Sequence, residues 1–101
     1  MLTTPPTEND SKHSKLIIDF SAESFCPPCR VIAPIFKNIE KEYTNINFYK
    51  IEVGEHSEFS QEHDIRTVPT FVSFHNGVEV SRFSGANESK LRQMLNELND
   101  L

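Results

Sequence analysis

The sequence has only two cysteines, Cys26 and Cys29, and just two residues separate them. Secreted proteins that rely on disulfides spread several cysteines along the chain so that distant loops are joined. A bridge between Cys26 and Cys29 would close so short a loop that it would remove little entropy from the unfolded chain. The cysteine content therefore excludes a disulfide-rich scaffold, and it indicates that the pair does not serve stability.

Long apolar runs and basic clusters are also missing. No stretch approaches the roughly 18 to 20 consecutive apolar residues of a membrane span, and residues 1–15 lack the apolar core of a secretory signal. The formal net charge of −5 and the absence of any Lys/Arg cluster argue against a protein that binds nucleic-acid phosphates. We therefore expect a soluble cytoplasmic protein that binds neither membranes nor nucleic acid.

The length of 101 residues allows one hydrophobic core but no separate substrate domain. Eight phenylalanines are available for that core, and there is no tryptophan. Residues 1–14 combine polar residues and proline without apolar periodicity, which is typical of a flexible polar tail. We place the boundary near Lys15 and expect a single domain over residues 15–101.

The spacing of apolar residues predicts the secondary structure of this domain. Residues 16–20 form a nearly uninterrupted apolar run, as in a strand buried on both faces, with Asp19 as a carboxylate inside it. Residues 31–43 have the helical spacing of an amphipathic helix that begins at the cysteines and contains Pro34. Residues 46–53 predict a second strand.

The second half of the chain predicts a short helix, a hairpin and a final helix. Ser57 is the predicted N-cap of a helix over residues 57–63, and Asn87 is the predicted N-cap of the last helix. Asn76-Gly77 separates two strand-like runs, which is the signal of a tight hairpin turn. The order β-α-β-α-β-β-α predicts an α/β fold, a mixed sheet of about four strands with helices on both faces.

The two cysteines flank two prolines at the start of the first long helix. A dithiol site needs one thiol that ionises near neutral pH and a second that can resolve the mixed disulfide. Cys26 is the predicted N-cap, where free backbone N–H groups and the helix dipole favour an anion. Because Pro27 and Pro28 have no N–H, the Cys29 amide is the first that can reach the Cys26 sulfur. Arg30 adds a cation that would further favour the thiolate.

Three stretches together resemble the thioredoxin family: residues 16–43 around the Cys-Pro-Pro-Cys motif, residues 65–70 (IRTVPT) and residues 83–87 (FSGAN). An isolated CxxC motif is a weak signal. It is joined here by an Asp seven residues before it, a Pro five residues after it and a distant Val-Pro-Thr that enters a hairpin. The resemblance covers roughly residues 15–101.

The resemblance implies a thioredoxin-like fold and a protein-disulfide reductase that needs no cofactor. Cys26 resembles the attacking nucleophile of the family and Cys29 the resolving thiol. Asp19 matches a buried carboxylate that exchanges a proton with the resolving cysteine, and Lys50 matches a lysine that in some members lies beside it. Burial should raise the pKa of Asp19, and a neighbouring Lys50 ammonium should oppose that rise.

Other residues resemble the family's substrate-binding surface. Val68-Pro69 matches its cis-proline bond, which would hold the Val68 backbone towards the cysteines so that an extended substrate could pair with it. Gly85 matches a glycine that keeps this surface open, and Phe25 takes the place of the family's tryptophan. The predicted substrate-binding residues are Phe25, Pro27, Pro28, Thr67, Val68, Pro69 and Gly85.

The implied partners are disulfide-containing client proteins and an electron donor, either a protein like thioredoxin reductase or a low-molecular-weight dithiol. We expect the protein to act as a monomer.

The chain departs from the family pattern in four ways. One additional residue lies between Asp19 and Cys26, and Phe25 replaces tryptophan. Pro-Pro, the dipeptide of tryparedoxins, stands where most thioredoxins have Gly-Pro. Too few residues precede Leu16 for the family's first strand and first helix. We therefore expect a shortened fold in which those two elements are missing.

Two functions of other classes stay open. The first is a thioredoxin-like binding module or chaperone that uses the Val68-Pro69 edge while its cysteines stay idle. The second is a dimeric metal-cluster protein ligated through the cysteines. A zinc site would need two more ligands, and His56, His63 and His75 lack finger-like spacing. We therefore predict no metal site and interpret the histidines as surface residues.

Overall fold

The computed structural model describes residues 1–12 and 14–101, without the side chains of residues 11 and 12. The part of the expected tail at position 13 lies outside this description. The described chain has four strands, β1 (Lys15–Ser21), β2 (Ile46–Glu52), β3 (Thr70–His75) and β4 (Val78–Ser84). They form one sheet in the order β2-β1-β3-β4, in which β1 and β2 are parallel and the other neighbours antiparallel. The predicted mixed sheet is confirmed.

The described residues also form four α-helices, namely α1 (Glu8–Lys12), α2 (Pro27–Ile39), α3 (Ser57–Glu62) and α4 (Glu88–Asn99). The helix predicted after the cysteines ends as an α-helix at Ile39 and continues as a 3₁₀ turn over Glu40–Glu42. Within the described chain, no helix has both the length and the apolar character that crossing a bilayer would require.

The predicted caps of the later helices had different outcomes. The Asn87 side chain accepts a hydrogen bond from the Lys90 amide at 3.0 Å, as predicted for α4. The predicted Ser57 cap is wrong, because His56 is the N-cap of α3 and contributes no side-chain hydrogen bond there. Asn76 (φ 53°) and Gly77 (φ 82°) supply the two positive φ angles of the predicted hairpin turn.

Helices cover both faces of the sheet, and β1 is buried along almost its whole length. One face packs against α2 and α4 through Ile17, Phe48, Phe71, Ile32, Phe36, Leu91, Met94, Leu95 and Leu98. The other face packs against α3 through Leu16, Ile18, Phe20, Tyr49, Ile51, Val72, Phe74 and Phe59. Because successive strand residues point to opposite faces, the apolar run of β1 supplies both layers.

The face that packs against α2 becomes polar where β1 ends. Ile17, Asp19 and Ser21 alternate onto this face, and Asp19 and Ser21 are completely buried. In the parallel register, Asp19 lies opposite Lys50 and Ser21 lies opposite Glu52. A strip of polar side chains therefore borders the loop, residues 22–26, that leads into α2.

The residues before β1 have more structure than the flexible tail that we expected. Leu2 pairs with the outer edge of β2, donating to the Phe48 carbonyl at 3.0 Å and accepting from the Lys50 amide at 2.8 Å. Thr7 and Asp10 form a reciprocal capping box, with each side chain accepting the other's amide at 3.1 Å. The first strand and first helix that we expected to be missing are thus reduced to one bridge and the five residues of α1.

We predict that Phe36→Ala lowers the free energy of unfolding by about 3 to 5 kcal/mol, because it leaves a cavity in the core. Phe36 is fully buried, and its ring centre lies 4.9 Å from that of Phe48 and 5.5 Å from that of Phe71. Urea unfolding of the oxidised protein, followed by far-UV circular dichroism, measures the change. Val31→Ala on the exposed side of the same helix should cost less than about 0.5 kcal/mol, and equal losses in the two variants would contradict this packing.

Candidate active site

Cys26 ends the loop after β1 and is the N-cap of α2, with extended backbone angles (φ −120°, ψ 99°). Its sulfur accepts a hydrogen bond from the Cys29 amide at 3.2 Å. Pro27 and Pro28 occupy the first two helical positions, where they have no N–H to offer. The predicted cap by sulfur is confirmed, and it places this sulfur at the positive end of the helix dipole.

The Cys26 and Cys29 sulfurs are bonded to each other, and the two Cα atoms lie 5.3 Å apart. Cys26 is 7% exposed, whereas Cys29 is completely buried one helical turn further along. Of the two cysteines, only Cys26 therefore keeps any exposure to solvent.

A loop on the other side of the disulfide faces the Cys26 sulfur. The Val68-Pro69 peptide bond is cis, and the Val68 carbonyl oxygen lies 3.7 Å from this sulfur. Beside it is a cavity of about 200 Å³ lined by Ala22, Phe25, Val53, Ile65, Arg66, Thr67 and Val68. Phe25 is 73% exposed, so an exposed aromatic side chain and an apolar cavity lie next to Cys26.

Short polar contacts hold this loop to the end of the hairpin. The Thr70 hydroxyl donates to the Thr67 carbonyl at 2.7 Å, and the Thr67 hydroxyl donates to that of Ser84 at 3.1 Å. The Gly85 amide donates to the Pro69 carbonyl at 2.9 Å. Gly85 has a φ of +104°, and an added Cβ would meet no protein atom within 4 Å. The fold therefore requires glycine here for its backbone conformation.

Asp19 is the buried ionisable group closest in sequence to the cysteines. Among the described residues, neither of its carboxyl oxygens has a hydrogen-bond partner. Burial raises the pKa of Asp19 from 3.8 to about 7, because the charged form loses its hydration. Lys50 opposes this rise, while Glu52 and Glu23 add to it. Burial is the dominant effect, which the sequence could not decide.

Lys50 lies opposite Asp19 in the register, but its ammonium group is bound elsewhere. It forms an ion pair with the Glu23 carboxylate, and the Lys50 side chain is 19% exposed. The Glu23 amide donates to the Glu52 carboxylate at 3.2 Å, and Arg30 donates to the Glu23 carbonyl at 2.7 Å. We expected the Arg30 guanidinium to stabilise the Cys26 thiolate, but it donates to the backbone of the loop before Cys26.

Sequence reasoning missed Glu23 and Glu52 as members of this site. The one available signal was the additional residue between Asp19 and Cys26, which marks the loop that contains Glu23. The side chains of Lys50 and Glu52, which bind this loop, come from β2, far away along the chain. No local pattern could therefore reveal the contacts.

His56, His63 and His75 are half-buried, which differs from the expected surface positions, and His13 lies outside the described residues. His63 is half-buried among the rings of Phe59, Phe74 and Phe20, at centre distances of 4.6, 5.5 and 6.0 Å. His63 therefore packs with the aromatic residues beside α3 and does not lie on the open surface. Burial lowers the pKa of His63. Across the described chain, no three His, Cys, Asp or Glu side chains are grouped so that they could hold a metal ion.

A family model described as thioredoxin matches residues 7–97 of the chain. Thioredoxin-3 of Dictyostelium discoideum is 43% identical over 84 residues, which cover 83% of this chain and 80% of that protein. Thioredoxin of Ovis aries is 37% identical over 90 residues, covering 89% of this chain and 85% of that protein.

A solved structure of Fasciola hepatica thioredoxin superimposes with a TM-score of 0.83 at 39% identity, covering 88% of this chain and 85% of that one. Plasmodium falciparum thioredoxin gives a TM-score of 0.82 at 39% identity, covering 86% and 84%. These similarities confirm the fold predicted from the sequence. With its bonded cysteine pair at the start of α2, the chain belongs to the thioredoxin family and is a thiol-disulfide oxidoreductase that reduces protein disulfides.

Proposed function

We propose that Cys26 is the attacking nucleophile and Cys29 the resolving thiol of a reversible dithiol-disulfide exchange. The observation that best supports this proposal is the difference between the two cysteines. Cys26 keeps a small exposed fraction of 7% and its sulfur accepts an amide hydrogen bond at the helix start, whereas Cys29 is completely buried. A thiolate is the reactive form of cysteine, and the start of a helix favours that anion.

The exchange has two steps. In the first step the Cys26 thiolate attacks one sulfur of a client disulfide, which forms a mixed disulfide and releases the other client sulfur as a thiolate that takes up a proton. In the second step Cys29 loses its proton and attacks the Cys26 sulfur, which forms the Cys26–Cys29 bridge and releases the remaining client thiol. Two electrons pass from the cysteine pair to the client.

Asp19 is the proton acceptor that we propose for Cys29 in the second step. A carboxyl with a pKa of about 7 is present in both protonation states near neutral pH, so it can take up a proton and return it. Asp19 lies on the sheet face that packs against α2, the helix that carries Cys29. The opposing Lys50 charge keeps the pKa from rising further.

The client segment next to its disulfide binds, in this proposal, as an extended strand along Val68. The Val68 carbonyl faces the Cys26 sulfur, and the adjoining cavity accepts an apolar side chain. Phe25 provides an exposed aromatic contact, while Pro27 and Pro28 form the rim on the helix side. Thr67, Pro69 and Gly85 hold the strand-like loop in place.

The oxidised protein must be reduced again after each exchange. Its donor would be a protein similar to thioredoxin reductase or a low-molecular-weight dithiol. A pair that works as a reductant must be kept reduced, which favours the cytoplasm over an oxidising compartment. All residues proposed for the reaction come from one chain, so we propose that the protein acts as a monomer.

We predict that Cys29→Ser forms long-lived mixed disulfides with disulfide-containing proteins, because the resolving thiol is gone while the nucleophile remains. Cys26→Ser should trap none, and its rate of insulin disulfide reduction should fall to the uncatalysed rate. Non-reducing electrophoresis and the insulin assay measure the two effects. Equal, negligible rates for the wild type and Cys26→Ser would instead indicate a binding module with idle cysteines.

Asp19→Asn should slow the release of clients from the mixed disulfide by about 10²-fold at neutral pH, which is typical for the loss of a proton acceptor. The formation of the mixed disulfide should change much less, because Cys26 performs that step. Rapid acid quenching and mass spectrometry would separate the two steps. An unchanged rate of release would eliminate Asp19 as the proton acceptor.

The pKa of Asp19 also predicts how stability depends on pH. The folded state binds this proton more tightly than the unfolded chain, so the free energy of unfolding falls as the pH rises from about 4 to about 7. The rise in pKa from 3.8 to about 7 corresponds to a loss of at most about 4 kcal/mol. Urea unfolding at several pH values should show this loss in the oxidised wild type but not in Asp19→Asn. The exposed control Asp100→Asn should keep the wild-type dependence, and parallel profiles for all three proteins would contradict the assignment.

A further inference from the structure

Glu23 connects three parts of the active site. Its carboxylate pairs with Lys50, its amide donates to the Glu52 carboxylate at 3.2 Å, and its carbonyl accepts from Arg30 at 2.7 Å. The loop before Cys26 is therefore tied to β2 on one side and to α2 on the other. The Glu23 side chain is 38% exposed, so its ion pair lies at the edge of the buried strip.

Lys50 could pair with either of two carboxylates. The register of β1 and β2 places it opposite Asp19, yet its ammonium group binds Glu23. No donor among the residues that the structure describes reaches an oxygen of Asp19. Glu23 thus takes the cation that the register would otherwise make available to Asp19.

Among the described residues, Lys50 is the cation that acts on Asp19. The residue opposite Asp19 on β3 is Phe71, and α2 and α4 pack on this face through the apolar residues already described. The charged groups that act on Asp19 are Lys50 and Glu52 of β2 and Glu23 of the loop. After burial, the Lys50 ammonium therefore has the largest effect on the pKa of Asp19.

We propose that Glu23 is a positioning residue for the exchange reaction, because it holds the Lys50 ammonium on its own carboxylate and so keeps that cation off the carboxyl of Asp19. This role rests on the proposed function, in which Asp19 accepts the proton of Cys29. With Lys50 bound to Glu23, Asp19 keeps a proton affinity suited to transfer near neutral pH. If Lys50 bound Asp19 directly, the carboxylate would be held in its charged form.

Removing the charge of Glu23 has two consequences of the same sign. A negative charge that raises the pKa of Asp19 disappears, and the released Lys50 can approach Asp19 and lower its pKa further. If Glu23 positions Lys50, the pKa of Asp19 should therefore fall by more than the loss of the Glu23 charge alone would cause. If Glu23 acts only by repulsion between two carboxylates, the pKa should fall by that smaller amount.

The test is the variant Glu23→Gln, which keeps the shape of the side chain and removes its charge. The pKa of Asp19 is measured by ¹³C NMR titration of the carboxyl carbons in the oxidised protein, with the signal assigned from Asp19→Asn. We expect the pKa of Asp19 to fall from about 7 to about 6 or below. Glu58→Gln removes one equal charge from an exposed site on α3 and should leave it unchanged. An unchanged pKa in Glu23→Gln would overturn the proposal.

A double-mutant cycle with Lys50→Met tests the route through Lys50. In the Lys50→Met background, Glu23→Gln should lower the pKa of Asp19 by clearly less than in the wild type, because no ammonium is left to be released. Equal decreases in the two backgrounds would show that Glu23 acts by direct repulsion, and would overturn the positioning role.

The pH profile of client release from the mixed disulfide connects this effect to the reaction. In Glu23→Gln the inflection of that profile should move to lower pH together with the pKa of Asp19. If the pKa moves and the profile does not, Asp19 is not the proton acceptor, and the proposed function and the catalytic part of this role both fail. If the profile follows Asp19 in the wild type but Glu23→Gln alters neither, Asp19 keeps its function and only the role of Glu23 is wrong.

Discussion

The hydrogen bond from the Cys29 amide to the Cys26 sulfur determines how the whole site is arranged. It places the reactive sulfur at the end of a helix whose dipole stabilises an anion. The same helix carries Cys29 inward and anchors itself on the sheet through Ile32 and Phe36. Because that apolar contact fixes the helix against β1, the sulfur also has a fixed position relative to Val68. Packing far from the disulfide thus sets the geometry of the chemistry.

The protein tolerates an unfavourable group for the sake of this chemistry. A buried carboxyl without a hydrogen-bond partner destabilises the fold when it is ionised, and within the part of the chain that the structure describes Asp19 is such a group. An apolar residue would avoid this cost, but it could not carry a proton. The strip formed by Asp19, Ser21, Lys50 and Glu52 is therefore a local exception to an otherwise apolar face, as is common at functional sites.

Local patterns predicted the elements well where one residue type leaves few options. The two prolines after Cys26 allow only the Cys29 amide to cap the sulfur, and Asn76-Gly77 allows a turn with two positive φ angles. Prediction failed where a local signal was overlooked or absent. The capping box of Thr7 and Asp10 was a readable signal for α1. The cap of α3 at His56 has no side-chain hydrogen bond, so there was no chemical signal to read.

The sequence by itself determined the kind of protein: its motifs resemble the thioredoxin family, and local spacing predicts the cysteine pair at a helix start, the order of elements after residue 14 and the carboxylate inside the first strand. Only the tertiary structure decided how the charges around that carboxyl are shared. Glu23 and Lys50 lie on different elements, and the pairing of β1 with β2 brings them together. Ion pairs of this kind depend on distances in space and on burial, and neither is written in the neighbouring residues of the chain.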